Sequence, residues 1–208
     1  LASCALAFSD NPDIGILNAR IIGNPEELPP VEERLPAEPL VVAPYEQIGP
    51  YRGVLDGLSN ATEAGTSDLL SVRHVNLMRF ADDLTTIVPN VAKTWAWNDD
   101  VTELTITLRQ GHRWSDGAPF TSEDFRYYWE DVANNPELSP SGPPAELMVD
   151  GALPVVTTPD ETTVVYEWPA PHPTFLKQLA GAPPPVIYRP AHHPKQVPGK
   201  YGGTNVTE

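Results

Sequence analysis

Residues 113–125 read RWSDGAPFTSEDF, and they hold an aromatic, a tight turn, two adjacent carboxylates and a helix start. Ser115-Asp116-Gly117 is a turn signature, because glycine adopts the left-handed conformation that other residues resist. Thr121 is an N-cap residue whose hydroxyl can accept an orphan backbone N–H, and Asp124 stands at N3 as a near relative of the capping box. Glu123 and Asp124 fall in the first helical turn, where the helix dipole favours negative charge. Neighbouring helix residues point about 100° apart, so this pair cannot flank one scissile bond. The stretch therefore reads as architecture.

The apolar pattern extends outward from it. In SEDFRYYWEDVAN, Phe125, Tyr128, Trp129 and Val132 are spaced i, i+3, i+4, i+7, which predicts one helical face turned to a core. Asn134-Asn135-Pro136 ends that helix. Upstream, TWAW and ELTITL alternate on either side of NDD, a hairpin with Trp95 and Trp97 on one face and Leu104, Ile106 and Leu108 inward. Downstream, ALPVVTT and TTVVYEW flank Pro159-Asp160-Glu161 as a second hairpin. Residues 137–149 read as an inserted loop, and TFLKQLA as a short helix closed by Gly181. LVVAPY (40–45), GVLDGLSNA (53–61), HVNLMRF (74–80) and PPVIY (184–188) read as further strands.

The chain has 208 residues, 40% of them hydrophobic, enough for a real core. Its 25 prolines crowd 25–50, 136–144 and 169–198, so the compact part is expected between. Twenty-eight acidic residues against 13 basic ones give a net charge of −15, which disfavours nucleic acid and anionic membranes. Cys4 is the single cysteine, which excludes an intrachain disulfide and a four-cysteine zinc site. LASCALAF resembles the end of a signal peptide, the competing reading being merely an apolar N-terminus. Leu1-Ala2-Ser3-Cys4 fits a lipobox with Cys4 lipidated, and Ala5-Leu6-Ala7 fits ordinary cleavage before Phe8.

Chemical motifs are scarce. No G-x-S-x-G elbow, phosphate-binding loop or dinucleotide fingerprint occurs. His172, His192 and His193 lie in proline-rich segments without zinc-helix spacing and read as solvated loop residues. Asp82, Asp83, Asp99 and Asp100 lack the ligand spacing of a calcium loop. The tryptophans 95, 97, 114, 129 and 168 belong to apolar faces and read as core.

The order of these elements carries a resemblance. Pro89, Ala92, Trp95, Leu108, Arg109, Gly111, Trp114, Ser115, Asp116, Gly117, Pro119, Phe120, Thr121 and Asp124 match, without gaps, the signature region of the peptide-binding family of bacterial ABC-transporter solute receptors, and residues 160–180 resemble a later family segment. Trp95, Trp114, Asp116, Gly117, Phe120, Thr121 and Asp124 would then be a structural signature.

The resemblance implies a mixed α/β (α+β) fold, the first lobe and small subdomain of a type II periplasmic-binding clamshell, with the second lobe absent from this stretch of chain. The organisation expected is a signal remnant (1–7), an extended leader (8–38), first-lobe strands (39–60 and 150–190), a small subdomain with hairpin and signature helix (61–149) and a truncated connector (191–208). The implied function is extracytoplasmic, non-catalytic capture of a peptide or other small solute for an inner-membrane ABC permease, by a monomer, with no cofactor. Ser59, Asn60, Thr62, His74 and Asn76 are the expected ligand-facing residues. A truncated interaction module and a secreted hydrolase are the competing readings, the latter lacking a visible nucleophile or carboxylate pair.

Overall fold

The computed structural model describes residues 15, 28–43, 46–47, 75–181 and 183–193. The expected strand at 53–61, the candidate residues Ser59, Asn60, Thr62 and His74, the lipidation candidate Cys4 and residues 194–208 lie outside them.

The centre of the described chain is a four-stranded antiparallel sheet in the order β3-β4-β6-β5, from β3 (Ala92–Trp97), β4 (Glu103–Leu108), β5 (Val155–Asp160) and β6 (Thr163–Glu167). The β3–β4 hairpin follows its alternation. Leu104, Ile106 and Leu108 are buried, and Asn98 Oδ1 closes the turn by accepting the Thr102 and Glu103 N–H groups at 2.8 and 3.0 Å. The β5–β6 turn works the same way, with Asp160 Oδ1 accepting from Thr162 N at 2.8 Å. Pro159 lies inside β5 rather than in the turn. β5 is the edge strand, where a missing N–H costs no ladder bond, and its register shifts between Thr157 and Asp160.

Both hairpins thus share one sheet, with Leu104 opposite Tyr166 and Ile106 opposite Val164. The sequence division at residue 150 does not divide this sheet, because the inward faces of β4 and β6 bury each other's neighbours in one core.

A smaller hairpin, β1 (Met78–Phe80) with β2 (Ile87–Pro89), precedes the sheet. Its loop is held by Asp83, whose Oδ1 accepts from Thr85 N and Thr86 N at 2.9 and 2.8 Å. The Thr86 hydroxyl and these N–H groups favour the ionised carboxyl and lower its pKa to about 2. Two of the other expected strands do not form among the described residues. Residues 40–43 and 184–188 have irregular backbone without ladder partners, and Val41 and Val42 are 56% and 60% exposed. Short apolar runs mark burial or contact without specifying a sheet neighbour. Ile187, at 1% exposure, is buried without being a strand.

The signature helix begins as expected and then widens. α2 (Ser122–Tyr127) continues as a π-helix at Tyr128–Ala133, after the short N-terminal α1 (Val31–Arg34). The extra residue per turn rotates the face. Phe125 and Tyr128 are buried as expected, but Tyr127, Asp131 and Ala133 join them while Trp129 and Val132 are only half-buried. Ser122 fastens the helix start to the β5–β6 turn through Ser122 N to Glu161 O (2.9 Å) and Ser122 Oγ to Asp160 O (2.5 Å).

The segment 137–149 is more than an insertion. Its 3-10 turn Ala145–Leu147 buries Leu147 fully, and the Leu147 carbonyl accepts the Trp168 indole N–H at 2.8 Å. α3 (Phe175–Ala180) ends at Gly181 and packs on β1. Trp168 is buried in the core, whereas Trp95, Trp97, Trp114 and Trp129 pack half-buried against it.

Candidate functional site

The turn and helix start at 113–125 form a closed set of internal contacts. Gly117 has φ 86°, and a Cβ there would meet nothing within 4 Å, so the glycine is required by backbone conformation alone. Asp116 Oδ1 accepts from Ala118 N at 3.0 Å, and Trp114 N donates to Ala118 O at 2.8 Å. Trp114 sets its edge against Phe120 at 5.4 Å, and Tyr188 packs on Phe120 and Phe125 at 5.2 and 5.1 Å.

Thr121 Oγ1 accepts from Glu123 N at 3.3 Å, and the reciprocal half of the capping box is Thr121 N to Asp124 Oδ2 at 2.9 Å. The same oxygen accepts the Trp114 indole N–H at 3.1 Å. Asp124 Oδ1 accepts from Ala191 N at 2.9 Å. At 2% exposure, both oxygens are used inside the protein, for the cap, the Trp114 indole and the Ala191 N–H. Glu123 pairs instead with Arg126, which also meets Glu130. These carboxylates hold the guanidinium pKa above its usual value.

Of the expected ligand-facing residues, the structure describes Asn76. Its side-chain Nδ2 donates to Gly181 O at 2.5 Å, and its backbone carbonyl accepts from Asn90 Nδ2 at 2.8 Å. Asn76 therefore joins the lead-in of β1 to the end of α3. It also lines an apolar groove of about 200 Å³ with Leu77, Leu179 and residues 184–188.

The histidines divide. His172, expected in a solvated loop, is 6% exposed; its Nε2 lies 2.8 Å from Glu146 O, and its ring meets Trp168 edge-on at 5.0 Å. The apolar neighbours Trp168 and Phe175 are close in sequence, whereas the Glu146 carbonyl that meets the ring is 26 residues away. His192 and His193 do lie near the surface, and the fold brings them to Asp116: Oδ2 is 2.6 Å from His192 Nε2 and 3.3 Å from His193 Nε2. The imidazole contact holds the Asp116 carboxyl below the ordinary range. A partner 76 residues away leaves no mark in local spacing.

Sequence reasoning passed over two further residues. Arg109 is buried, donating from Nε to Asn90 O at 2.9 Å and from Nη1 to Glu38 O at 2.8 Å. It borders an open cavity of about 440 Å³ that also carries the Lys93–Glu38 ion pair (2.6 Å), Asp160 and Glu161. His112 is half-buried with its Nε2 lacking a hydrogen-bond partner, and burial followed by the Arg109 charge pushes its pKa down. Arg109 and Gly111 could have drawn attention as signature positions, but carbonyl partners of Arg109 up to 71 residues distant are invisible locally.

Residues 86–205 match the family model described as bacterial extracellular solute-binding proteins, family 5 Middle. The chain belongs to that family. Among its relatives is the periplasmic alpha-galactoside-binding protein of Rhizobium meliloti (strain 1021), 30% identical over 88% of this chain and 29% of the relative. The periplasmic murein peptide-binding protein MppA of Escherichia coli (strain K12) is 30% identical over 52% of this chain and 16% of its own length. A solved oligopeptide-binding protein OppA superposes with a TM-score of 0.69 and 31% identity, covering 85% of this chain and 27% of that structure. The stachyose complex of periplasmic binding protein MelB from Agrobacterium fabrum C58 gives 0.58 and 27%, over 86% and 29%. The chain thus spans less than a third of the length of each of these proteins, and its mixed α/β fold corresponds to part of the two solved structures.

Proposed function

We propose that this chain serves the extracytoplasmic capture of short peptides for an ABC importer, without catalysis. The observation that carries the reading is the superposition on an oligopeptide-binding protein over 85% of the chain. The internal use of Asp124, Glu123 and Thr121 supports a non-catalytic role, because the most catalysis-like carboxylates are occupied by capping and ion pairing. Capture would work by differential binding: a solute that contacts the closed form better than the open form shifts the population towards closure. Ser59, Asn60, Thr62, His74 and Asn76 remain the proposed ligand-facing set. The residues preceding Phe8 are proposed as export signal, with Cys4 either lipidated or removed.

A second reading has its own support. The relative covering 88% of this chain carries an alpha-galactoside-binding name, and a stachyose complex superposes over 86% of it. An oligosaccharide is therefore the alternative cargo for the same role.

Mass spectrometry of small molecules released from the protein purified from its native source separates these. Short peptides in stoichiometric amount support the first reading, and galactosides transfer the role to sugars. Cleavage of either class by the purified protein would overturn non-catalytic capture.

A further inference from the structure

The Asp116, His192 and His193 cluster has no part in the proposed solute capture. Three side chains, one from the Ser115-Asp116-Gly117 turn and two adjacent ones from the segment after α3, present one ligand atom each, all within 4.8 Å of one another. We propose that they form a three-ligand site for a zinc-type divalent cation, which clips the segment after α3 to the Ser115-Asp116-Gly117 turn.

The donor set is the first reason. Two imidazole nitrogens and one carboxylate oxygen are ligands of borderline-soft divalent metals, and three protein ligands leave a fourth tetrahedral position for water. Geometry is the second. Tetrahedral ligands at the usual zinc distances of ~2.0–2.2 Å sit roughly 3.3 Å apart. Asp116 Oδ2 and His193 Nε2 already have that separation, at 3.3 Å, and His192 Nε2, at 2.6 Å, must withdraw by less than an ångström. Orientation is the third. Asp116 Oδ1 is held by Ala118 N, so the carboxylate presents Oδ2 to the imidazoles, as a carboxylate ligand steadied by a hydrogen bond to its other oxygen does.

The position is also open to solution. Asp116 and His193 are exposed and His192 is half-buried, with the Trp114 ring 6.4 Å from the His192 ring on the protein side. A cation has an entry path, and the protein's net charge of −15 favours its approach. Arg113 opposes it locally, but its guanidinium is turned to the Gly117 carbonyl at 2.9 Å.

The test is calorimetric titration of the whole chain with zinc chloride at neutral pH, beside Asp116→Asn, His192→Ala and His193→Ala. Asp116→Asn retains an oxygen for the Ala118 N–H, and His193→Ala removes an exposed ring, so these variants keep the fold. Expected is saturable 1:1 binding by the native chain. Each variant should weaken it about tenfold or more, as expected for removing one of three ligands, with unchanged circular dichroism. Cobalt(II) loading should give the visible absorption of a tetrahedral centre, lost in His193→Ala. Absence of saturable zinc binding, or equal affinity in His193→Ala and the native chain, would overturn the site.

Discussion

The helix start at 121–125 and the connector at 184–193 touch each other, yet they are specified in different ways. The helix start is closed by partners two or three residues away: Thr121 Oγ1 with Glu123 N, and Asp124 Oδ2 with Thr121 N. The connector has no ladder, and it is held from outside. Tyr188 packs on Phe120 and Phe125, Arg189 N donates to Asp124 O at 3.1 Å, and Ala191 N donates to Asp124 Oδ1. One segment is self-determined, and the other takes its course from a surface already built. Asp124 belongs to both.

Perturbations at the two segments should therefore differ in kind. Ile187 is buried at 1% exposure in the connector. Ile187→Ala should destabilise the protein by about 4 kcal/mol, the scale of a large-to-small core change, in denaturant unfolding. A loss below 1 kcal/mol would mean that the connector is loosely draped.

Asp124→Ala should cost about 3 kcal/mol, because it removes a helix cap and strands the Trp114 and Ala191 N–H groups. Hydrogen exchange at Ala191 should accelerate with it. Unchanged protection at Ala191 would detach the connector from Asp124 and break the comparison.

Gly117→Ala should cost only about 1 kcal/mol, from the positive φ, since the added methyl meets no neighbour. The connector should keep its protection in that variant, since the strain is local to the turn.

The smallest effect is electrostatic. His112 has a folded pKa below its ordinary value near 6.5, owing to burial and then to the Arg109 charge. The unfolded chain binds that proton more readily, so stability from this group is present above about pH 6.5 and is lost as pH falls through the lower folded value. His112→Gln should flatten the slope of unfolding free energy against pH in that window, and an unchanged slope would assign it elsewhere.

The same contrast explains what could be read in advance. The hairpins at 92–108 and 155–167, the cap at Thr121 and the turn at Gly117 are local, with period-2 burial or side chains bonding within a few residues. The π-widening after Tyr127 was not legible, because the spacing of Phe125, Tyr128, Trp129 and Val132 suits an unbroken α-helix. Residues 184–188 were misjudged as a strand because burial of Ile187 is set by distant neighbours. For His172 only the Glu146 carbonyl, 26 residues away, is beyond local reach; Trp168 and Phe175 stand close by in sequence, and their apolar faces were the signal that the ring is buried. The Asp116–His192–His193 cluster depends on the connector's return to the turn, which no spacing rule encodes. Of the candidate ligand residues, Asn76 turned out to fasten α3 to the β1 lead-in.

The central claim is that the 113–125 stretch builds the fold and takes no part in the proposed solute binding. The most direct measurement compares Thr121→Ala with the native protein, in unfolding free energy and in affinity for the solute recovered from the native source. The account predicts a stability loss of about 1 kcal/mol from the missing cap, with the dissociation constant unchanged. An unchanged stability together with a dissociation constant raised about tenfold, equivalent to ~1.4 kcal/mol of binding energy, would place the stretch in the ligand site and contradict it.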